Sequence, residues 1–185
     1  MAKQFAALTP ELRDFIARQT VFFTATAAPH GRVNVSPKGM DTLRVAADNR
    51  VVWLNLTGSG NETAAHLLAD GRITLMWCAL EGQPMILRLY GRGRAVHPGD
   101  EEWGELIPLF PPLPGARQVI VTEVELVQTS CGYAVPLFDF VAQRDLLTKW
   151  SDTKGETGVR EYWNTNNRVS LDGLDTGIIQ EPLKP

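Results

Sequence analysis

Val51-Val52-Trp53-Leu54-Asn55-Leu56-Thr57-Gly58-Ser59-Gly60-Asn61-Glu62-Thr63-Ala64-Ala65-His66-Leu67 carries an apolar, β-branched and aromatic run into a glycine-broken turn and then directly into helix-forming residues. The helix predicted over Glu62–Asp70 closes at Gly71, where a C-terminal cap glycine belongs. A strand, turn and helix in this order aim free backbone N–H groups and the positive end of a helix dipole at whatever lies on the turn, an arrangement suited to a phosphate. Thr57, Ser59 and Thr63 add hydroxyls, and Gly58 and Gly60 let the backbone approach an anion closely. A second reading stands beside it. Ser59-Gly60-Asn61-Glu62 has the spacing of a capping box, in which Ser59 and Glu62 satisfy the orphan N–H groups and Glu62 repels an anion. The stretch is neither a Walker A loop nor a G-x-G-x-x-G fingerprint.

Outward from this stretch the pattern is mainly β. Thr9-Pro10-Glu11 starts a short amphipathic helix with Leu12, Phe15 and Ile16 on one face. Val21–Ala27 and Val33–Lys38 read as strands joined by the turn Pro29-His30-Gly31. Ile73–Leu80 is apolar on both faces, as in a strand covered twice, with a barrel or a dimer interface as the second cover. Met85–Val96 sets Arg88, Tyr90 and Arg92 against Leu87, Leu89 and Gly91, and the glycines at 91 and 93 permit a bulge. A helix is expected around Glu101–Leu109, then a loop Pro108–Gly115, then a strand Val119–Gln128 with Ile120, Val124 and Leu126 inward. Six or seven strands between residues 20 and 130 fit a barrel or sandwich. Phe140–Trp150 and Glu156–Asn164 have helical spacing, so residues 131–185 read as a helical extension of one domain spanning 1–185.

Charge and composition narrow the function. The 185 residues carry a formal charge of −3, but residues 1–95 hold 11 Lys/Arg against 7 Asp/Glu and residues 96–185 hold 7 against 14. The first half is the expected home of an anion site. The acidic balance argues against a nucleic-acid partner, and the absence of a long apolar run or signal-like start argues against a membrane and for a cytoplasmic location. Cys78 and Cys131 lack C-x-x-C spacing and read as buried thiols, and His30, His66 and His97 lack zinc-ligand spacing, so no metal is expected. Ser36 and Ser59 lack a G-x-S-x-G context, which excludes a hydrolase of that type. His66 reads as a packed or surface side chain, and no catalytic acid or base stands out.

Gly31-Arg32-Val33-Asn34-Val35-Ser36-Pro37-Lys38-Gly39 ends a polar-faced strand in Lys-Gly. With it, the chain over residues 10–130 resembles the pyridoxamine 5′-phosphate oxidase-like, FMN-binding split-barrel family. Val35–Gly39 looks like that family's first cofactor strand, Leu56-Thr57 like its second, Asn61-Glu62-Thr63-Ala64 like the phosphate turn, and Arg88-Leu89-Tyr90-Gly91 like a later Arg-bearing strand. The resemblance implies an antiparallel split β-barrel and a homodimer with FMN, or alternatively deazaflavin F420, at the interface. It implies cofactor contacts from Val35, Ser36, Pro37, Lys38, Leu56, Thr57, Asn61, Glu62, Thr63 and Arg88. Two departures matter. Asn61-Glu62-Thr63 replaces the usual Ser-Arg-Lys, and the C-terminus lacks the Arg-x-His segment of true pyridoxamine-phosphate oxidases. The implied activity is an FMN-dependent oxidoreductase for another small molecule. The alternative is a non-catalytic flavin-, deazaflavin- or haem-binding protein, a stress-related sensor or carrier, on the same fold.

Overall fold

The computed structural model describes residues 2–178. Its elements run β1 (Lys3–Phe5), α1 (Pro10–Arg18), β2 (Phe22–Thr26), β3 (Asn34–Lys38), β4 (Leu43–Ala47), β5 (Arg50–Leu56), α2 (Glu62–Ala69), β6 (Arg72–Cys78), β7 (Ile86–Val96), α3 (Trp103–Leu106) with a following 3-10 turn, β8 (Ala116–Ser130) and α4 (Leu146–Asn166). All strand pairs are antiparallel, in the order β3-β2-β6-β7-β8-β5-β4, with β1 added on β8. The result is a split β-barrel with flanking helices and a C-terminal helical extension. No described helix is long and apolar enough to cross a membrane.

Alternation along the strands divides the apolar residues between two cores. Trp53, Leu75, Trp77, Leu87, Leu89, Ile120 and Val127 fill the barrel, closed at one end by Leu12, Phe15 and Ile16 of α1. Thr9 caps that helix as expected, its hydroxyl accepting from the Leu12 N–H at 3.4 Å. Phe22 stacks on Trp77 at 5.9 Å and meets Trp53 edge-on at 5.8 Å, geometries that suit aromatic quadrupoles. On the other face of β5 and β8, Val52, Leu54, Val119 and Val121 pack with Leu106 and Phe110. On β6, Ile73, Leu75 and Trp77 are buried, while Thr74, Met76 and Cys78 on the opposite face are half-buried.

Two register shifts shape β8. Gly91 opposes Val124 and Tyr90 opposes Leu126, leaving Glu125 as an extra residue. This bulge falls at the glycine expected to permit one, and it inverts the alternation beyond it. Val127, not Leu126, is therefore the buried residue. The second shift, between Asn55 and Leu56, leaves Arg117 as the extra residue.

Other expectations are corrected. Residues 140–145 form no regular element rather than a helix, and α4 begins at Leu146; Gly155 (φ 67°, ψ 170°) breaks it, and Trp150 meets Tyr162 edge-on at 5.0 Å. Cys131 is exposed and Cys78 half-buried, so neither is a buried thiol. The short strands β1 and β4 carried no clear sequence pattern.

Gly91 is the residue with least room. A Cβ there would sit 1.9 Å from the Glu123 carbonyl oxygen, a backbone atom that cannot swing away. Gly91→Ala is expected to cost about 3 kcal/mol or more in urea denaturation. A loss within about 0.5 kcal/mol, the range of an ordinary surface change, would show that the bulge is not rigid.

Candidate functional site

The ends of β3 and β5 and the start of α2 converge on a groove of about 690 Å³. Side-chain parity explains the convergence. Asn55 continues the inward row of Val51 and Trp53, and Lys38 continues the row of Asn34 and Ser36. Lys38 Nζ donates to Asn55 Oδ1 at 3.2 Å and stands 5.1 Å from the centre of the Trp53 ring. Ser36 Oγ donates to Asn34 Oδ1, and Asn34 Nδ2 reaches Thr63 Oγ1.

The turn into α2 is held from outside the helix. Asn61 is the N-cap by position, but its side chain makes no cap bond. It pairs with Gln118 instead, accepting at 2.9 Å and donating at 3.4 Å. The capping-box reading is corrected: the helix begins at Glu62, so Ser59 lies before the N-cap and Glu62 is not at the third helical position. Glu62 is turned toward the C-terminal segment, where its carboxylate accepts the Leu171 N–H at 3.0 Å. Thr57 is fixed by its own N–H and hydroxyl, both donating to Gly115 O at 2.8 Å, and its oxygen accepts from Trp163 Nε1 at 2.7 Å.

Arg117, which sequence reasoning missed, completes the groove. The β8 bulge places it in the lining, 3% exposed, with Nη1 donating to Gly60 O at 3.0 Å and Asn167 Oδ1 at 2.6 Å. Its Nε is buried without a partner. Among the described residues neither Lys38 nor Arg117 has a carboxylate within ion-pair distance. Burial, reinforced by the Arg117 guanidinium, pushes the Lys38 ammonium from its ordinary 10.5 down to about 8; burial likewise pushes Arg117 down. Two cations thus face one groove with only neutral acceptors.

Of the residues singled out from sequence, Ser36, Pro37, Lys38, Leu56, Thr57, Asn61, Glu62 and Thr63 line this groove. Val35 does not; it is 61% exposed on the opposite face of β3. Arg88 also stands apart, donating to Ser130 Oγ at 3.2 Å. His66 is buried behind α2 against Thr26, with Nδ1 and Oγ1 3.1 Å apart, and lies outside the lining.

Comparison with known proteins bears on the whole chain. The family model described as pyridoxamine 5′-phosphate oxidase matches residues 8–131. A pyridoxamine 5′-phosphate oxidase family protein of Aspergillus flavus, ustO, is 35% identical over 190 residues, covering 92% of this chain and 76% of that protein. The chain belongs to the pyridoxamine 5′-phosphate oxidase family. Two solved structures share the fold of this family member. HupZ of Group A Streptococcus superposes with a TM-score of 0.52 at 19% identity, covering 66% of this chain and 99% of that one. A putative pyridoxamine 5′-phosphate oxidase of Lactobacillus delbrueckii gives 0.52 at 16% identity, covering 66% and 94%.

The charge arrangement in this family member has a cost that can be measured. Lys38 is held below its unfolded value, so the folded state carries a penalty below pH 8. Between about 8 and 10.5 the folded lysine is the less protonated, and stability rises with pH. Lys38→Met is expected to stabilise the ligand-free protein at pH 7 by about 1–3 kcal/mol in urea denaturation, the loss of the Asn55 bond offsetting part of the gain. The advantage should shrink toward pH 10. Destabilisation at pH 7 would contradict the penalty.

Proposed function

We propose that the groove holds the phosphate of FMN and that the chain is an FMN-dependent oxidoreductase acting on a small molecule other than pyridoxamine phosphate. The observation that carries this reading is the pair of a half-buried Lys38 and a buried Arg117, neither paired with a carboxylate among the described residues, beside a helix start that has no side-chain cap. A dianion would supply the missing countercharge, and the orphaned Arg117 Nε is a donor for it. The bound flavin would supply the electron and hydride chemistry. The chain's own part is placement. Lys38, Arg117 and the α2 N–H groups would hold the phosphate, Thr63 and Asn61 would line it, and Ser36, Pro37, Leu56 and Thr57 would flank the rest of the cofactor.

A second reading is favoured by the lining itself. Among the described residues, the lining's one carboxylate, Glu62, is engaged by Leu171, and no histidine or cysteine lines the groove. On that reading the protein binds a flavin, deazaflavin or haem without turnover, as a carrier or sensor. We also propose a homodimer, with a second copy covering exposed Val33 and Val35 and the half-buried outer face of β6. The cytoplasm remains the proposed location.

Titration of the purified protein with FMN, followed by flavin fluorescence, tests the first reading. Uptake is expected, and Lys38→Ala should weaken it by about 1–3 kcal/mol. Because the phosphate favours charged Lys38, affinity should fall as the pH rises from 8 to 9. No uptake, or an unchanged dissociation constant in the variant, would overturn the phosphate assignment. Steady NAD(P)H turnover with an acceptor would decide for the enzyme over the carrier. Sedimentation equilibrium is expected to return twice the chain mass, and a single-chain mass would remove the dimer.

A further inference from the structure

The C-terminal extension reaches back to the groove at several points, Trp163 to Thr57 and Leu171 to Glu62 among them, and one of its residues reaches Arg117 itself. Asn167, which follows α4, is 0% exposed, and both ends of its side-chain amide are used. Oδ1 accepts from Arg117 Nη1 at 2.6 Å, while Nδ2 donates to Gly58 O at 3.1 Å. Its backbone oxygen accepts from Thr176 Oγ1 at 2.7 Å and from Asn61 Nδ2 at 3.4 Å. A single side chain therefore ties the buried guanidinium to the glycine turn before α2, and the chain on either side of it is anchored in turn.

The amide's neutrality is the telling property. A carboxylate in this place would orient Arg117 equally well but would also cancel its charge. An amide orients without neutralising, and it leaves Nε of the same guanidinium buried and unpartnered. From this geometry we propose that Asn167 is a positioning residue for anion binding. It holds Arg117 and the turn over Gly58–Asn61 in register while keeping the guanidinium's charge available to a phosphate. The extension outside the barrel thereby completes the anion site in the same chain. The inference rests on the phosphate reading given above, and the experiment separates the two.

Wild-type protein and Asn167→Asp are titrated with FMN, with riboflavin, which lacks the phosphate, and with inorganic phosphate followed by thermal shift. The variant is expected to bind FMN about tenfold or more weakly and to lose the shift with inorganic phosphate. Its riboflavin affinity should stay within about twofold of wild type. Equal FMN affinity in the two proteins overturns the positioning role and leaves the cofactor reading intact. An equal loss for riboflavin also overturns it, since that marks a merely structural contact. If wild type ignores FMN but is stabilised by inorganic phosphate through Asn167, the cofactor reading falls and this one stands. If wild type responds to neither, both fall. Should Asn167→Asp fail to fold, amide hydrogen exchange on the wild type decides. Inorganic phosphate should slow exchange over residues 167–171 together with 58–64, and protection confined to 58–64 overturns the proposal.

Discussion

The strand β8 is the constraint on which the rest depends. It is fifteen residues long, and it pairs with β7 and β5 along its two edges and takes β1 near its end. A strand of that length cannot stay flat within a small barrel, because strand twist accumulates along it. It carries two extra residues. The bulge at Glu125 lets β7 follow β8 around the barrel, using the absence of a Cβ at Gly91 to bring the two backbones together. The bulge at Arg117 turns one cation into the groove. Closure of the barrel and the electrostatics of the groove thus share a single strand.

The groove gives up stability that its neighbours supply. Lys38 has an amide and an aromatic face for partners, and Arg117 a backbone carbonyl and an amide. Elsewhere the arginines behave conventionally: Arg32 pairs with Asp172, Arg44 with Asp41, Arg94 with Glu102, all at the surface. The contrast distinguishes cations paired at the surface from cations left without a carboxylate partner, and perturbed ionisable groups cluster at functional sites. Net charge did not show this. Arg117 lies in the half of the chain with twice as many acidic as basic residues, yet it is among the most deeply buried charges described.

Much of the fold was legible in residue patterns, for identifiable reasons. Thr9-Pro10 is a local start signal and Gly71 a local stop signal, neither of which depends on distant contacts: α1 begins at Pro10, and α2 ends at Ala69, just ahead of Gly71. The two-sided apolar run at Ile73–Cys78 marked the central strand next to the barrel core. What escaped depends on non-local geometry. Asn61 abandons its local cap for Gln118, 57 residues away. Leu126 and Val127 exchange faces because of an extra residue that only the pairing with β7 reveals. Arg117 could have been flagged as the one basic residue of its strand, standing at its head, but nothing in the order of residues indicates that a bulge would aim it inward. The lining residues that emerged from sequence sit at strand ends adjoining one glycine-rich turn, whereas the second cation came from a strand whose start is 54 residues past the start of α2.

The bond from Asn167 to Gly58 spans 109 residues of chain. The β1–β8 ladder, which pairs Lys3 with Thr129, spans more, and the other strand pairs span less, yet every strand precedes residue 131. As the chain leaves the ribosome, the barrel therefore has its full complement of strands while the groove still lacks one wall. Loop-closure entropy grows only slowly with length, so this long-range contact costs little in final stability. Translation thus separates two events that the finished molecule makes look simultaneous: the residues of every barrel strand are made before the one that joins Arg117 to the glycine turn.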